Sequence, residues 1–132
     1  MWKHEITARF ADSDLLGHIN NTALPLWFEE ARTPLFRIFV PDLDFKKWNL
    51  IMARMEFDFL KELFFGKEVE IRTYVLKIGN SSFTLLQEAW QEDRLCVQGK
   101  MVAVHFDFKK KKSLPIPEKI KKMLAEHLVR ES

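Results

Sequence analysis

The sequence predicts an α+β domain in which a curved antiparallel β-sheet wraps around one long central helix, with a short C-terminal helix. Three observations predict it. Apolar residues recur at every second position in five separate runs, the period of a half-buried strand. Only the first connection between those runs is long and apolar enough to carry a helix, so the later strands follow one another through short turns. The tail then returns to a helical period. The 132 residues suit a single domain, 1–132, with one core.

Residues 2–10 alternate, with Trp2, His4, Ile6, Ala8 and Phe10 on one face. A polar break follows, Asp12-Ser13-Asp14-Leu15-Leu16-Gly17-His18. Asn20 or Asn21 is then a suitable N-cap, because its side-chain carbonyl can accept from the free amides of a first helical turn. Leu24, Trp27, Phe28, Ala31 and Leu35 recur at helical spacing. Pro34 falls inside that pattern and predicts a kink or an end near Thr33, since it removes the bond to residue 30. Residues 41–49 read as a loop.

Strand-like runs follow at 51–59, 67–78, 81–91 and 94–107, with turn signals at Gly79-Asn80 and at Asp93. In the first of these, Ile51, Ala53, Met55, Phe57 and Phe59 share a face. From Pro117 to Arg130, the residues Ile120, Met123, Leu124 and Leu128 return to helical spacing. A sheet of this kind leaves open edges, and open edges favour a homodimer or homotetramer.

Net charge is +2, and Lys109–Lys112 is the one basic run. It is short and has no interleaved aromatics, which argues against a nucleic-acid partner. The single cysteine, Cys96, lies in an apolar run, so neither an internal disulfide nor a cysteine metal site is expected. No stretch approaches the length of a membrane span, and the N-terminal residues lack the apolar core of a secretory signal. A cytoplasmic protein without membrane contact is therefore expected.

The stretch Phe10-Ala11-Asp12-Ser13-Asp14-Leu15-Leu16-Gly17-His18-Ile19-Asn20-Asn21, followed by Phe28-Glu29-Glu30-Ala31-Arg32, resembles the signature of the 4-hydroxybenzoyl-CoA thioesterase family of hot-dog-fold proteins. The resemblance continues at Asp58-Phe59-Leu60 with Phe65-Gly66, at Ile78-Gly79-Asn80-Ser81-Ser82-Phe83, and at Leu114-Pro115-Ile116-Pro117. It implies the hot-dog fold and an acyl-CoA thioesterase that converts a fatty or aromatic acyl-CoA to free acid and CoA. No cofactor is implied, because CoA is part of the substrate.

The resemblance implies that Asp14 is the catalytic carboxylate, acting as nucleophile or as general base on water. Amides at the helix start, around Asn20 and Asn21, would polarise the thioester carbonyl, since a helix N-terminus holds free N–H groups and partial positive charge. His18 either orients water and the carboxylate or packs locally. Asp12, Glu29 and Arg32 read as scaffold, and Trp27 and Phe28 as core. Gly79, Asn80, Ser81 and Ser82 are candidates to meet the pantetheine arm or phosphates of CoA. Lys109 and Lys110 are candidates to supply point charges to the phosphates. The competing reading is a non-catalytic acyl-CoA-binding hot-dog protein. A dehydratase of the His-x-x-x-x-Pro-Gly type is disfavoured, because no Pro-Gly follows any of the four histidines.

Overall fold

The computed structural model describes residues 1–129. Strands β1 (Trp2–Ile6), β2 (Leu50–Phe59), β3 (Val69–Ile78), β4 (Ser82–Gln91) and β5 (Arg94–Asp107) form one antiparallel sheet. Their order is β1-β3-β4-β5-β2, with a two-residue strand β6 (Lys112–Ser113) added to the end of β5. The period-two pattern decides which face is covered. Val69, Ile71, Thr73 and Val75 of β3 are buried, as are Phe83, Leu85, Gln87, Ala89 and Gln91 of β4. The turn between β4 and β5 is Glu92-Asp93, and both residues have positive φ, 50° and 60°. That geometry matches the right-handed twist of the paired strands.

The covered face carries the central helix. Asn20 is its N-cap, its side chain accepting from the Thr22 amide at 3.1 Å. A 3-10 turn, Asn21–Ala23, leads into α1 (Leu24–Ala31). The helix breaks at Arg32 and resumes as α2 (Thr33–Phe39), with Pro34 in the first turn, where its missing N–H leaves no bond unmade. The break lies where Pro34 predicted it, so the central helix is two short helices in succession. Leu24, Trp27, Phe28, Ala31 and Leu35 are all buried.

The break is tied to the sheet through Gln87. Its side-chain oxygen accepts from Arg32 Nη1, and its Nε2 donates to the Phe28 carbonyl and to Thr73 Oγ1, each at 3.0 Å. Arg32 is only 2% exposed, and burial pulls its guanidinium down to about 10, which leaves it charged at neutral pH.

Four elements differ from the sequence reading. The first strand stops at Ile6, and Phe10, expected inward, is exposed in a 3-10 turn, Phe10–Asp12. Asp12 turns the chain there by accepting from the Arg9 amide and guanidinium. In β2 a bulge at Ala53 switches the alternation. Leu50, Met52, Met55, Phe57 and Phe59 lie opposite His105, Ala103, Met101, Gly99 and Val97, all buried residues of β5, so these share the inner face in place of Ile51 and Ala53. Strand β6 had no sequence signal. The last helix, α3 (Glu118–Ala125), ends before Leu128, which bridges to Val75 beside β3; Arg130 lies outside the described residues.

Gly99 shows how closely the helix sits on the sheet. A Cβ there would come within 2.8 Å of Met101 Cε, 2.9 Å of Phe28 Cε2 and 3.1 Å of the Glu56 carbonyl. Gly99→Ala is therefore expected to destabilise the protein by about 1–3 kcal/mol, the usual cost of overpacking. Urea denaturation checks this: the midpoint should fall with the slope unchanged.

Candidate functional site

The polar break between β1 and the helix is a small hairpin. The Asp14 amide donates to the His18 carbonyl at 2.9 Å, Ser13 bridges to Ile19, and the Asn20 amide donates to the Asp12 carbonyl at 2.7 Å. At the tip Leu15 and Gly17 both have positive φ, 72° and 87°. Glycine adopts this region freely. Leu15 does not, and it holds strain of about 1–2 kcal/mol next to Asp14. Asp12 anchors the base: it is buried, and the Arg9 guanidinium holds its carboxyl below the usual range.

A second loop, residues 60–67, clamps the first. The Ile19 amide donates to the Leu63 carbonyl at 2.7 Å, and the Phe65 amide to the Gly17 carbonyl at 2.8 Å. His18 bridges to Phe64, whose ring meets the imidazole edge-on at 5.2 Å. The second loop is fastened in turn by Gln91, 2% exposed. Gln91 accepts from the Phe64 amide at 2.9 Å and donates to the carbonyls of Phe64 and Lys67 at 2.9 and 3.0 Å. The amides of Leu60 and Lys61 donate to the carbonyl of Cys96, a buried residue whose thiol is pushed up by that burial.

The two loops and the helix start enclose a pocket of about 330 Å³, lined by Asp14, His18, Asn21, Leu24, Phe59 and Glu62 among others. Asp14 Oδ1 accepts from the amides of Leu16 and His18 at 2.9 and 3.1 Å. Its Oδ2 is 3.4 Å from His18 Nδ1. The other ring nitrogen, Nε2, is 3.1 Å from Glu62 Oε2. The Leu16 amide first, then the His18 amide and ring, hold the Asp14 carboxyl below the usual carboxylate range. One oxygen of Asp14 therefore shapes the loop, and the other faces His18 in the pocket.

The structure brings Asp14, His18 and Asn21 together. Asn20 takes the N-cap role expected of Asn20 or Asn21, and not the role of a carbonyl donor. Its amide is taken by Asp12 and its side chain caps Thr22, so of the pair Asn20-Asn21 the amide left for a carbonyl oxygen is that of Asn21. Glu29 lines a separate cavity of about 540 Å³ with Arg32, Phe36, Trp48 and Met52. It lies eight residues beyond Asn21, about 12 Å along a helix. Glu62 and Gln91 escaped the sequence reading. The available signal for Gln91 was an amide at an inward position of the β4 alternation, a face it shares with Gln87 and three apolar residues.

Gly79, Asn80, Ser81, Ser82, Lys109 and Lys110 lie at the other end of the sheet. Val97 lines the Asp14 pocket, whereas Ser82 pairs with Val104; seven residues of extended strand separate the two, about 23 Å. The carbonyls of Asn80 and Ser81 accept from Ile116 and His105. The amides of Lys109 and Lys110 donate to Asp107 and leave both side chains exposed. Among the described residues, no group of three or more His, Cys, Asp and Glu side chains is arranged to hold a metal. No described helix is long and apolar enough to cross a membrane.

The profile of a family described as the thioesterase-like superfamily matches residues 8–124. Among solved structures, a predicted thioesterase from Bacillus stearothermophilus is similar at 38% identity and a TM-score of 0.94, over 99% of this chain and 98% of the other. A thioesterase complexed with coenzyme A and Zn from Thermus thermophilus is similar at 28% identity and a TM-score of 0.82, over 93% and 96%. The uncharacterized protein YsmA of Bacillus subtilis (strain 168) is 28% identical over 82 residues, 62% of this chain and 56% of its own length. The curled antiparallel sheet around the interrupted helix is the hot-dog fold.

The lowered Asp14 carboxyl has a measurable consequence. Its folded value lies below the unfolded one, so the ionised form stabilises the loop at neutral pH, and that stabilisation is lost as pH falls through the lowered value. A carboxyl NMR titration should place the Asp14 midpoint below about 3.9, with the Leu16 and His18 amide signals moving at the same midpoint.

Proposed function

The chain belongs to the thioesterase-like superfamily, and we propose that it hydrolyses acyl-CoA thioesters, in the manner of the 4-hydroxybenzoyl-CoA thioesterase branch, to free acid and CoA. The observation that carries this reading is Asp14, an ionised carboxylate with one oxygen fixed by amides and the other facing a pocket beside His18 and the helix start. Thioester cleavage needs a group that attacks or activates water, and donors for the oxygen that becomes negative. Asp14 meets the first need, either by attacking the carbonyl carbon or by taking a proton from water that does so. The Asn21 amide, at the positive end of the helix, meets the second. If Asp14 activates water, collapse of the tetrahedral species breaks the C–S bond and releases the free acid, and the CoA sulfur leaves with the proton that Asp14 took from water. If Asp14 attacks, the same bond breaks to release the CoA thiolate and leave an acyl–Asp14 anhydride. Water hydrolyses that anhydride to the free acid, restoring the carboxylate and supplying the proton to CoA. His18, against Asp14 Oδ2, orients the carboxylate.

The acyl-CoA contacts proposed for Gly79–Ser82, Lys109 and Lys110 require a second copy. Strand β2 ends the sheet order, and among the described residues its outer edge is unpaired. An antiparallel pairing of two β2 edges about a two-fold axis sets the Phe59 end of one copy beside the Leu50 end of the other. Leu50 pairs with His105, and the His105 amide donates to Ser81. The turn and lysine run of one copy would therefore arrive at the Asp14 pocket of the other. A homodimer, or a homotetramer built from it, is the proposed assembly, in the cytoplasm.

Thiol release across short, long and aromatic acyl-CoA substrates tests this. Wild-type protein should release CoA, and Asp14→Asn should lose about 100-fold or more in kcat. Reversal of charge at Lys110 should raise KM and leave kcat in place. No release by wild-type protein from any of the substrates would overturn the hydrolase reading in favour of an acyl-CoA-binding protein.

A further inference from the structure

Glu62 has no place in the motif, yet it completes a line of three side chains, Asp14, His18 and Glu62, joined through opposite edges of one imidazole. We propose that Glu62 is a positioning residue of the Asp14 site, acting through His18; this rests on the hydrolase reading above.

An ionised carboxylate only accepts, and a protonated imidazole donates from both nitrogens. With Asp14 Oδ2 at 3.4 Å from Nδ1 and Glu62 Oε2 at 3.1 Å from Nε2, the protonated ring can satisfy both carboxylates at once. Asp14 Oδ1 is already fixed by two amides, so Oδ2 is the oxygen whose surroundings His18 controls. The Phe64 ring meets the imidazole edge-on. Glu62 holds the far nitrogen, and rotation of the ring away from Asp14 would break that contact.

The backbone that presents Glu62 is hydrogen-bonded on both sides of it. Its neighbours Lys61 and Leu63 are bonded to Cys96 and Ile19, and Phe64 is held by Gln91. The Glu62 side chain is 66% exposed, so its contact with His18 contributes little to folding. When an acyl-CoA covers the pocket and excludes water, the same contact strengthens. A role in positioning is therefore separable from a role in stability.

The test is a double-mutant cycle on the intact protein, using the acyl-CoA ester hydrolysed fastest by wild type. Glu62→Gln should lower kcat by about tenfold, with KM within about twofold and the thermal midpoint unchanged. Glu62→Asp should recover part of the loss. In a His18→Asn background, Glu62→Gln should have no further effect, because the path from Glu62 to Asp14 is already cut. The ¹⁵N signals of the His18 ring should shift on Glu62→Gln, which reports the contact without reference to turnover.

A kcat for Glu62→Gln within about twofold of wild type, or an equal loss in both backgrounds, would overturn the proposal. Loss of activity in Asp14→Asn with a neutral Glu62→Gln would leave the hydrolase reading standing and remove Glu62 from it. A wild-type protein without hydrolysis would overturn both.

Discussion

The side-chain amide of Gln91 joins the sheet to the end of the molecule that carries the Asp14 pocket. It sits at the end of β4, almost fully buried, and makes one accepted and two donated hydrogen bonds to the backbone of Phe64 and Lys67. Those bonds set the position of the 60–67 loop. That loop sets the position of the Asp14 hairpin through Leu63, Phe64 and Phe65. A buried amide with all these partners present is worth little net, but losing it would leave several backbone groups without partners at once, and that loss is costly. The site has an exposed tip, with Leu15 and Leu16 near 80% accessible, and a base that is fixed from inside.

Gln87 does the corresponding work one helical segment away. It lies on the same buried face of β4, four residues before Gln91, and holds the break between α1 and α2 through Arg32 and the Phe28 carbonyl. Strand β4 thus carries two polar anchors within an apolar face. One fixes where the central helix bends, and the other fixes the loop that faces its start. Between them Phe28 packs against Phe57 at 5.5 Å and over Gly99, so the helix has no room to slide along the sheet. The Asp14 pocket inherits its shape from these three constraints.

Much of this was legible in the sequence because the signals were local. The alternation of Val69, Ile71, Thr73 and Val75 gave the inner face of β3, and Pro34 located the helix break. The polar break at Asp12–His18 lies where the hairpin forms, and of the two N-cap candidates, Asn20 and Asn21, the cap is Asn20. What was hidden depends on contacts distant in sequence or on a single inserted residue. The Ala53 bulge moves Met52 to the inner face without changing the composition of β2. The first strand ends early because Asp12 captures Arg9, a side-chain contact that strand periodicity does not register. The turn at Gly79-Asn80 resembled a family pattern and the lysine run offered charge for phosphates, yet strand order puts both at the opposite end of the sheet from Asp14. Glu62 reaches His18 only because the two loops fold together.

The dependence that matters most is that of the arrangement around Asp14, proposed to be catalytic, on the clamp fastened by Gln91. It is tested most directly by measuring two properties of Gln91→Leu: acyl-CoA hydrolysis and amide hydrogen exchange at Ile19 and Phe65, the two amides that join the loops. Both amides are expected to exchange faster and kcat to fall with them, while the core amides of β3 and β4 stay protected. Faster exchange at Ile19 and Phe65 with kcat unchanged would contradict it.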